Sequence, residues 1–258
     1  NAYNVAVGHN AGNDVTTGVH NTLIGGLAGD ALTDADYNVA VGYNSLGTSV
    51  LGSRSTAIGY QALLTENPAT AADMYNTAVG FHSGLYITTG KQNTIVGGLA
   101  ADAMTTGTNN VAMGYLALST ETAGDNSVAI GRSALGTQNT TTGGNIYNTA
   151  VGHSAGGAVT TGTLCTFVGG LAGDAMTTGS RSVAIGYSAL SSDTLGMRSV
   201  AVGGGALESQ NFTTSTSAYN TAVGHEAGNA VTTGIENTLI GALAGDALDV
   251  GNSNTVVG

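Results

Sequence analysis

Tyr3-Asn4-Val5-Ala6-Val7-Gly8 recurs as Tyr75-Asn76-Thr77-Ala78-Val79-Gly80, and again at 147–152 and 219–224, always 72 residues on and without an insertion. A fixed period of this kind has to be recognised before any other reading, because it sets the architecture. Inside the unit a shorter phrase begins at Asn4, Asn21, Asn38 and Ser55, which gives coils of 17, 17, 17 and 21 residues. Fifteen coils begin in the 258 residues, in units 4–75, 76–147, 148–219 and a partial 220–258. The expectation is one continuous array that is a piece of a longer repeat protein, since the polar end caps of a finished solenoid are missing.

Each coil opens on five positions with separate jobs. The first is Asn4, Asn21, Asn38, Asn76, Asn93, Asn110, Asn148, Asn220, Asn237 or Asn254, otherwise Ser, and once Cys165. The second is Val or Thr, the third mostly Ala, and the fourth Val or Ile with Met113 the exception. The fifth is glycine throughout: Gly8, Gly25, Gly42, Gly59, Gly80, Gly97, Gly114, Gly131, Gly152, Gly169, Gly186, Gly203, Gly224, Gly241 and Gly258. Five residues rich in Val, Ile and Thr are too few for a helix and suit a strand. Both strand faces are apolar, so burial on both sides is expected. The Val/Ile column is assigned to the core, and the Ala stripe to an opposite face that packs on sister chains. The glycine suits a positive φ or a tight backbone approach. Ala or Ser three residues later, from Ala11 to Ala244, marks a crowded site. Thr16-Thr17-Gly18 and its five counterparts read as a second short strand closed by a turn. The fold class that follows is all-β: a parallel β-solenoid, or β-roll, of 15 coils, associated side by side into a fibre. Equal coils stack about 4.8 Å apart and bring the asparagines into a hydrogen-bonded ladder.

Composition narrows the function. Charged residues are 8%, and 5 basic against 16 acidic residues leave −11, which disfavours a nucleic-acid partner. At 41% hydrophobic the chain is not disordered, yet no stretch reaches the roughly 18 apolar residues of a membrane span. One cysteine makes no intrachain disulfide.

Asn126-Ser127-Val128-Ala129-Ile130-Gly131-Arg132-Ser133-Ala134-Leu135 and the matching stretch at 181–190 resemble the head repeats of trimeric autotransporter adhesins. Residues 148–156, with Thr-Thr-Gly following, resemble repeat regions of phage tail-fibre proteins. The adhesin resemblance implies a left-handed parallel β-roll with three chains in one stalk.

Candidate sites are departures from the repeat. His9, His153 and His225 follow the corner glycine, but Phe81 breaks the set and successive positions lie four coils, about 19 Å, apart, too far for one metal ion. Asp30, Asp102, Asp174 and Asp246 supply one carboxylate per turn, which reads as turn stabilisation and not calcium binding. Cys165 reads as a small buried residue. The extra residues of the long coils, at 65–72, 137–145 and 209–218, are polar and are expected to project as loops, each followed by Tyr75, Tyr147 or Tyr219. These tyrosines, with Asn139 and Asn211 of two glycosylation sequons, are the candidate carbohydrate contacts. No catalytic group, metal or cofactor is expected.

The expected function is a structural or adhesive extracellular fibre segment, on a cell surface or virion, that associates with copies of itself. Two alternatives are an ice-binding solenoid, read from its threonines, and a fibre that binds or degrades polysaccharide. The Thr column is interrupted by Val at positions 5, 39, 111, 128, 183 and 200.

Overall fold

The computed structural model describes residues 2–258, and no helix occurs among them. Each coil contributes one three-residue strand, from Val5–Val7 in the first to Thr255–Val257 in the fifteenth. Seven of these strands belong to a compact unit that runs to Ser127 and takes in Asn139–Asn145. Eight belong to a second unit, Val128–Gln138 with Ile146–Gly258. Within each unit, successive coils pair parallel in the register of the repeat: Ala6 faces Leu23, Ala40 faces Ala57, and Ala150 faces Phe167. Equal spacing therefore turns every coil position into a column. The protein is a parallel β-solenoid of fifteen coils.

Backbone bonding continues around the corners, which is how so little regular strand holds together. The Val5 N–H donates to Asn21 O at 2.8 Å, Leu27 N–H to His9 O at 2.8 Å, and Gly12 N–H to Ala28 O at 3.0 Å. The corner glycines all sit at φ between +127° and +144°. On those with a coil after them, such as Gly8, Gly25 and Gly42, a Cβ would run into the carbonyl of the next coil's glycine, so both reasons for glycine apply at once. Non-glycine residues also take left-handed φ, among them Asn10, His20, Tyr37 and Leu46. Each such residue costs roughly 1–3 kcal/mol and persists because bonds to the neighbouring coils over-determine it.

The two strand faces are the reverse of the expected assignment. Position three points inward: from Leu23 to Leu239 that column is at most 1% exposed. Positions two and four point outward, and Ile24, Ile58, Ile185 and Ile240 are 38–42% exposed. The Ala stripe therefore lines the interior of a single chain and offers no surface to sister chains. The reason is width. Where Leu46, Leu63, Leu118, Leu135, Leu190 and Leu207 fill the lumen from the turn, only Ala fits on the strand. Where the strand carries Leu23, Phe167 or Leu239, the turn carries Gly12 and Gly29, Gly156 and Gly173, or Gly228 and Gly245. A Cβ on Gly12 would stand 2.6 Å from Leu23 Cδ1. Volume is exchanged between two walls, two coils at a time, as close packing demands.

The Thr-Thr-Gly segments are not strands but turns. The first hydroxyl of five of them donates to the next coil's carbonyl, as Thr105 Oγ1 does to Thr122 O at 2.9 Å, and Thr232 donates to the Asp249 carboxylate instead. Their backbone curves too tightly to form a ladder. A second strand exists only beside the long coils, as the pairs Gly52–Ser53 with Ala72–Asp73, Gly124–Asp125 with Gly144–Asn145, and Gly196–Met197 with Thr216–Ser217.

Candidate functional site

The asparagine column is an interior ladder. Asn21 N–H donates to Asn4 Oδ1 at 2.8 Å, and Asn38 N–H to Asn21 Oδ1 at 2.9 Å. The Nδ2 atoms cross the coil instead of stacking only on each other, reaching Ala35 O from Asn21 at 2.7 Å and Gly52 O from Asn38 at 2.9 Å. Each Asn thus ties strand to turn and coil to coil. Cys165 keeps the ladder link, its N–H donating to Asn148 Oδ1 at 2.9 Å, and a longer cross-coil one from its thiol to Gly179 O at 3.7 Å. Burial pushes its thiol pKa up.

In the fourth coil of each unit serine replaces asparagine, and a long polar side chain from the turn fills the place. Asn76 Nδ2 donates to Glu66 Oε2 at 2.7 Å, Asn148 Nδ2 to Gln138 Oε1 at 2.9 Å, and Asn220 Nδ2 to Gln210 Oε1 at 2.8 Å. Glu66 is fully buried, and burial raises its carboxyl to about 7 against the partial relief of its Asn76 and Ser55 bonds. Sequence reasoning missed this column. The signal was a polar residue three after a buried Leu, at 66, 138 and 210, where other coils place Val15, Leu32 or Ile87.

The outer strand plane repeats in every coil. Its columns hold Val or Thr at position two and Val, Ile or Met at position four, with no charged residue in either. Two further columns border it, one preceding the phrase and one following the corner glycine. Together these contain nine of the ten tyrosines (Tyr86 alone lies elsewhere) and all four arginines. Of the sixteen acidic residues only Glu236 falls in the four columns. The rings stack along the columns: Tyr3 on His20 at 5.3 Å, His20 on Tyr37 at 4.9 Å, and Tyr43 on Tyr60 at 5.5 Å.

The carbohydrate candidates do not converge. Tyr75 has Arg54 over its ring at 5.9 Å and Tyr219 has Arg198 at 5.6 Å, so one face of each is occupied. Tyr147 is exposed. Asn139 Oδ1 accepts from Thr122 Oγ1 at 2.9 Å and Asn211 Oδ1 from Thr194 Oγ1 at 3.0 Å, which extends the threonine ladder into the long coils. The loops between expose only their middles, while Phe212, Met74 and Ile146 turn inward.

Among the described residues no three His, Cys, Asp or Glu side chains gather as a metal cluster. Asp30, Asp102 and Asp174 each keep one buried carboxylate oxygen without a hydrogen bond, and burial pushes all three carboxyls up. The cavity beside the first long coil, about 410 Å³, is walled by Asp34, Asp36, Ser53 and Asp73. Its carboxylates are engaged: Asp36 Oδ1 accepts from Val19 N–H at 2.8 Å, and Arg54 pairs with Asp73 at 2.8 Å. Compared with known proteins, the chain matches no family, no curated sequence and no solved structure.

Proposed function

We propose that this chain is a segment of a non-enzymatic, self-associating extracellular fibre, of the adhesin or tail-fibre kind, whose copies join through the outer strand plane. The observation that carries this reading is the makeup of that plane. An uncharged aliphatic stripe bordered by Tyr and Arg, with acids excluded, has the composition of a protein–protein interface. Full burial of one Val or Ile contributes about 1.5–3 kcal/mol. Even partial burial of fifteen such positions outweighs the roughly 4–15 kcal/mol that association costs. The partner is a second copy of the chain. With the Ala stripe inside, the strand plane replaces it as the joining surface, and three copies around one axis is the arrangement the adhesin resemblance suggests.

Light scattering at several concentrations tests it. The intact chain is expected at a fixed multiple of 25.2 kDa. Val168→Lys with Ile185→Lys, both on the outer plane, should reduce it to monomer with melting intact. A monomeric wild type, or an assembly indifferent to the two lysines, overturns the reading.

One observation favours ice binding as a second reading: the nine threonines of position two are half-buried or exposed on the outer plane, in a column that six valines interrupt. Position four has none, so half the plane lacks hydroxyls. Thermal hysteresis by the purified chain decides between the two.

A further inference from the structure

A solenoid advertises a site where one coil departs from its counterparts one repeat away. Glycine follows the corner glycine in second coils, at 26, 98 and 170, but among fourth coils only the twelfth coil has it, at Gly203-Gly204-Gly205. Gly204 stands in the border column that follows the corner glycine. The same place 72 and 144 residues earlier holds Arg132 and Tyr60. Nothing in the backbone demands glycine here. Its φ is not left-handed, and a Cβ would meet nothing closer than His225 Cδ2 and Tyr187 O, both at 3.9 Å.

The missing side chain leaves a step between two rings. Tyr187, one coil before, is 67% exposed and has no ring or cation stacked on it among the described residues. By contrast, Tyr43 and Tyr60 in the same column are covered by Tyr60 and Phe81, at 5.5 and 5.4 Å. On the far side of the step stands His225. Two coil spacings separate Tyr187 from His225, about 9.5 Å, which is room for one ring in van der Waals contact. Polar groups flank the step on the turn side. Asn229 Nδ2 donates to Glu208 Oε2 at 3.0 Å, and Glu226 Oε1 lies 3.9 Å from His225 Nε2.

We propose that this step is a binding site for one neutral or amino sugar residue, its ring stacked on the bare face of Tyr187 and its hydroxyls bonded to Glu208, Asn229 and Glu226. An apolar ring face with carboxylate and amide groups beside it matches the two-sided chemistry of a pyranose. Two carboxylates at the rim exclude uronic, sialic and sulfated sugars by charge. The site lies in the border column beside the strand plane.

Saturation-transfer NMR on the whole chain tests the site. The probes are neutral and amino trisaccharides of gluco, manno and galacto configuration, with trigalacturonate as the acidic one. Wild type is expected to bind at least one neutral or amino probe and to ignore trigalacturonate. Tyr187→Ala and Gly204→Tyr should each weaken binding at least tenfold, while Tyr86→Ala leaves it unchanged and all three melt as wild type does. Gly204→Tyr restores the ring that Tyr60 supplies elsewhere, so it blocks the step without opening the fold. No binding by wild type to any neutral or amino probe overturns the proposal. So does binding that survives Gly204→Tyr, or a preference for trigalacturonate.

Discussion

Two polar places in the interior, 144 residues apart, hold the same parts in opposite order. In the first repeat the third coil offers Ser49 and the fourth Glu66; in the third repeat the corresponding residues are Asp193 and Gln210. All four are fully buried. Each place therefore contains one carboxyl and one neutral partner, but their surroundings differ. Asp193 Oδ1 accepts the N–H of Gly196 at 2.9 Å and of Phe212 at 3.2 Å, and Oδ2 accepts from Gln210 Nε2 at 2.6 Å. Glu66 Oε2 accepts from Asn76 and Ser55, while Glu66 Oε1 and Ser49 Oγ have no partner. Glu121, one repeat before Asp193, resembles it, with the N–H groups of Thr122, Ala123 and Gly124 all directed at Oε1. A carboxyl on the third coil meets a turn of backbone donors. A carboxyl on the fourth meets only side chains, those of Asn76 and Ser55, and their two bonds offset burial only in part.

The largest effect should come from removing the donors' target. Asp193→Ala leaves two backbone N–H groups without an acceptor and the Gln210 amide with Ser199 alone, at about 1–3 kcal/mol for each lost partner, so it is expected to lower stability by several kcal/mol. Chemical denaturation of the variant measures this, and a loss under 1 kcal/mol would mean that the amides find other acceptors.

A smaller effect separates the two places by pH. The Glu66 carboxyl is raised from 4.5 to about 7 in the folded chain, so its protonated form is the one that folding favours. Its stabilisation is complete below pH 4.5 and is lost as pH rises through about 7, on the order of 3 kcal/mol in all. Glu66→Gln, which copies Gln210, should flatten most of that slope between pH 5 and 8. The carboxyls of Asp193, Asp30, Asp102 and Asp174 are raised too, burial being the main cause, so any residual slope keeps the same sign. If the variant's melting temperature falls with pH as steeply as wild type's does, Glu66 is not the responsible group.

The smallest effect concerns the hydroxyls beside Glu66. Ser49 Oγ is buried without a partner, and Ser49→Ala should be neutral or slightly stabilising. Ser55 donates to Glu66 at 2.9 Å, and Ser55→Ala should cost about 1 kcal/mol. Equal responses from the two serines would erase the distinction drawn here.

Much of this was legible in the chain itself. The 72-residue period, the count of coils, the strand at each phrase and the glycine corner all follow from spacing and residue type, because register in a solenoid is sequence spacing. The strand's inside and outside were not legible, since Val-Ala-Val is apolar at all three positions and hydropathy does not distinguish the faces. Size does: Ala is inward because Leu46 and its counterparts already fill the lumen from the turn. The asparagine ladder was visible as a column, but not its cross-coil bonds to Ala35 and Gly52, which depend on how the turn folds back. That Tyr75 and Tyr219 follow the polar loops is plain in the sequence, whereas the arginines above their rings could be placed only in space.

Repetition in one dimension therefore determined the architecture: equal coils must stack equal positions, and backbone bonding does the rest. Tertiary structure decided which side of each strand meets water and which buried carboxyl meets backbone donors. It also showed that Gly204 leaves the Tyr187 ring uncovered. Those outcomes depend on distances across the coil, and a linear period carries no information about width.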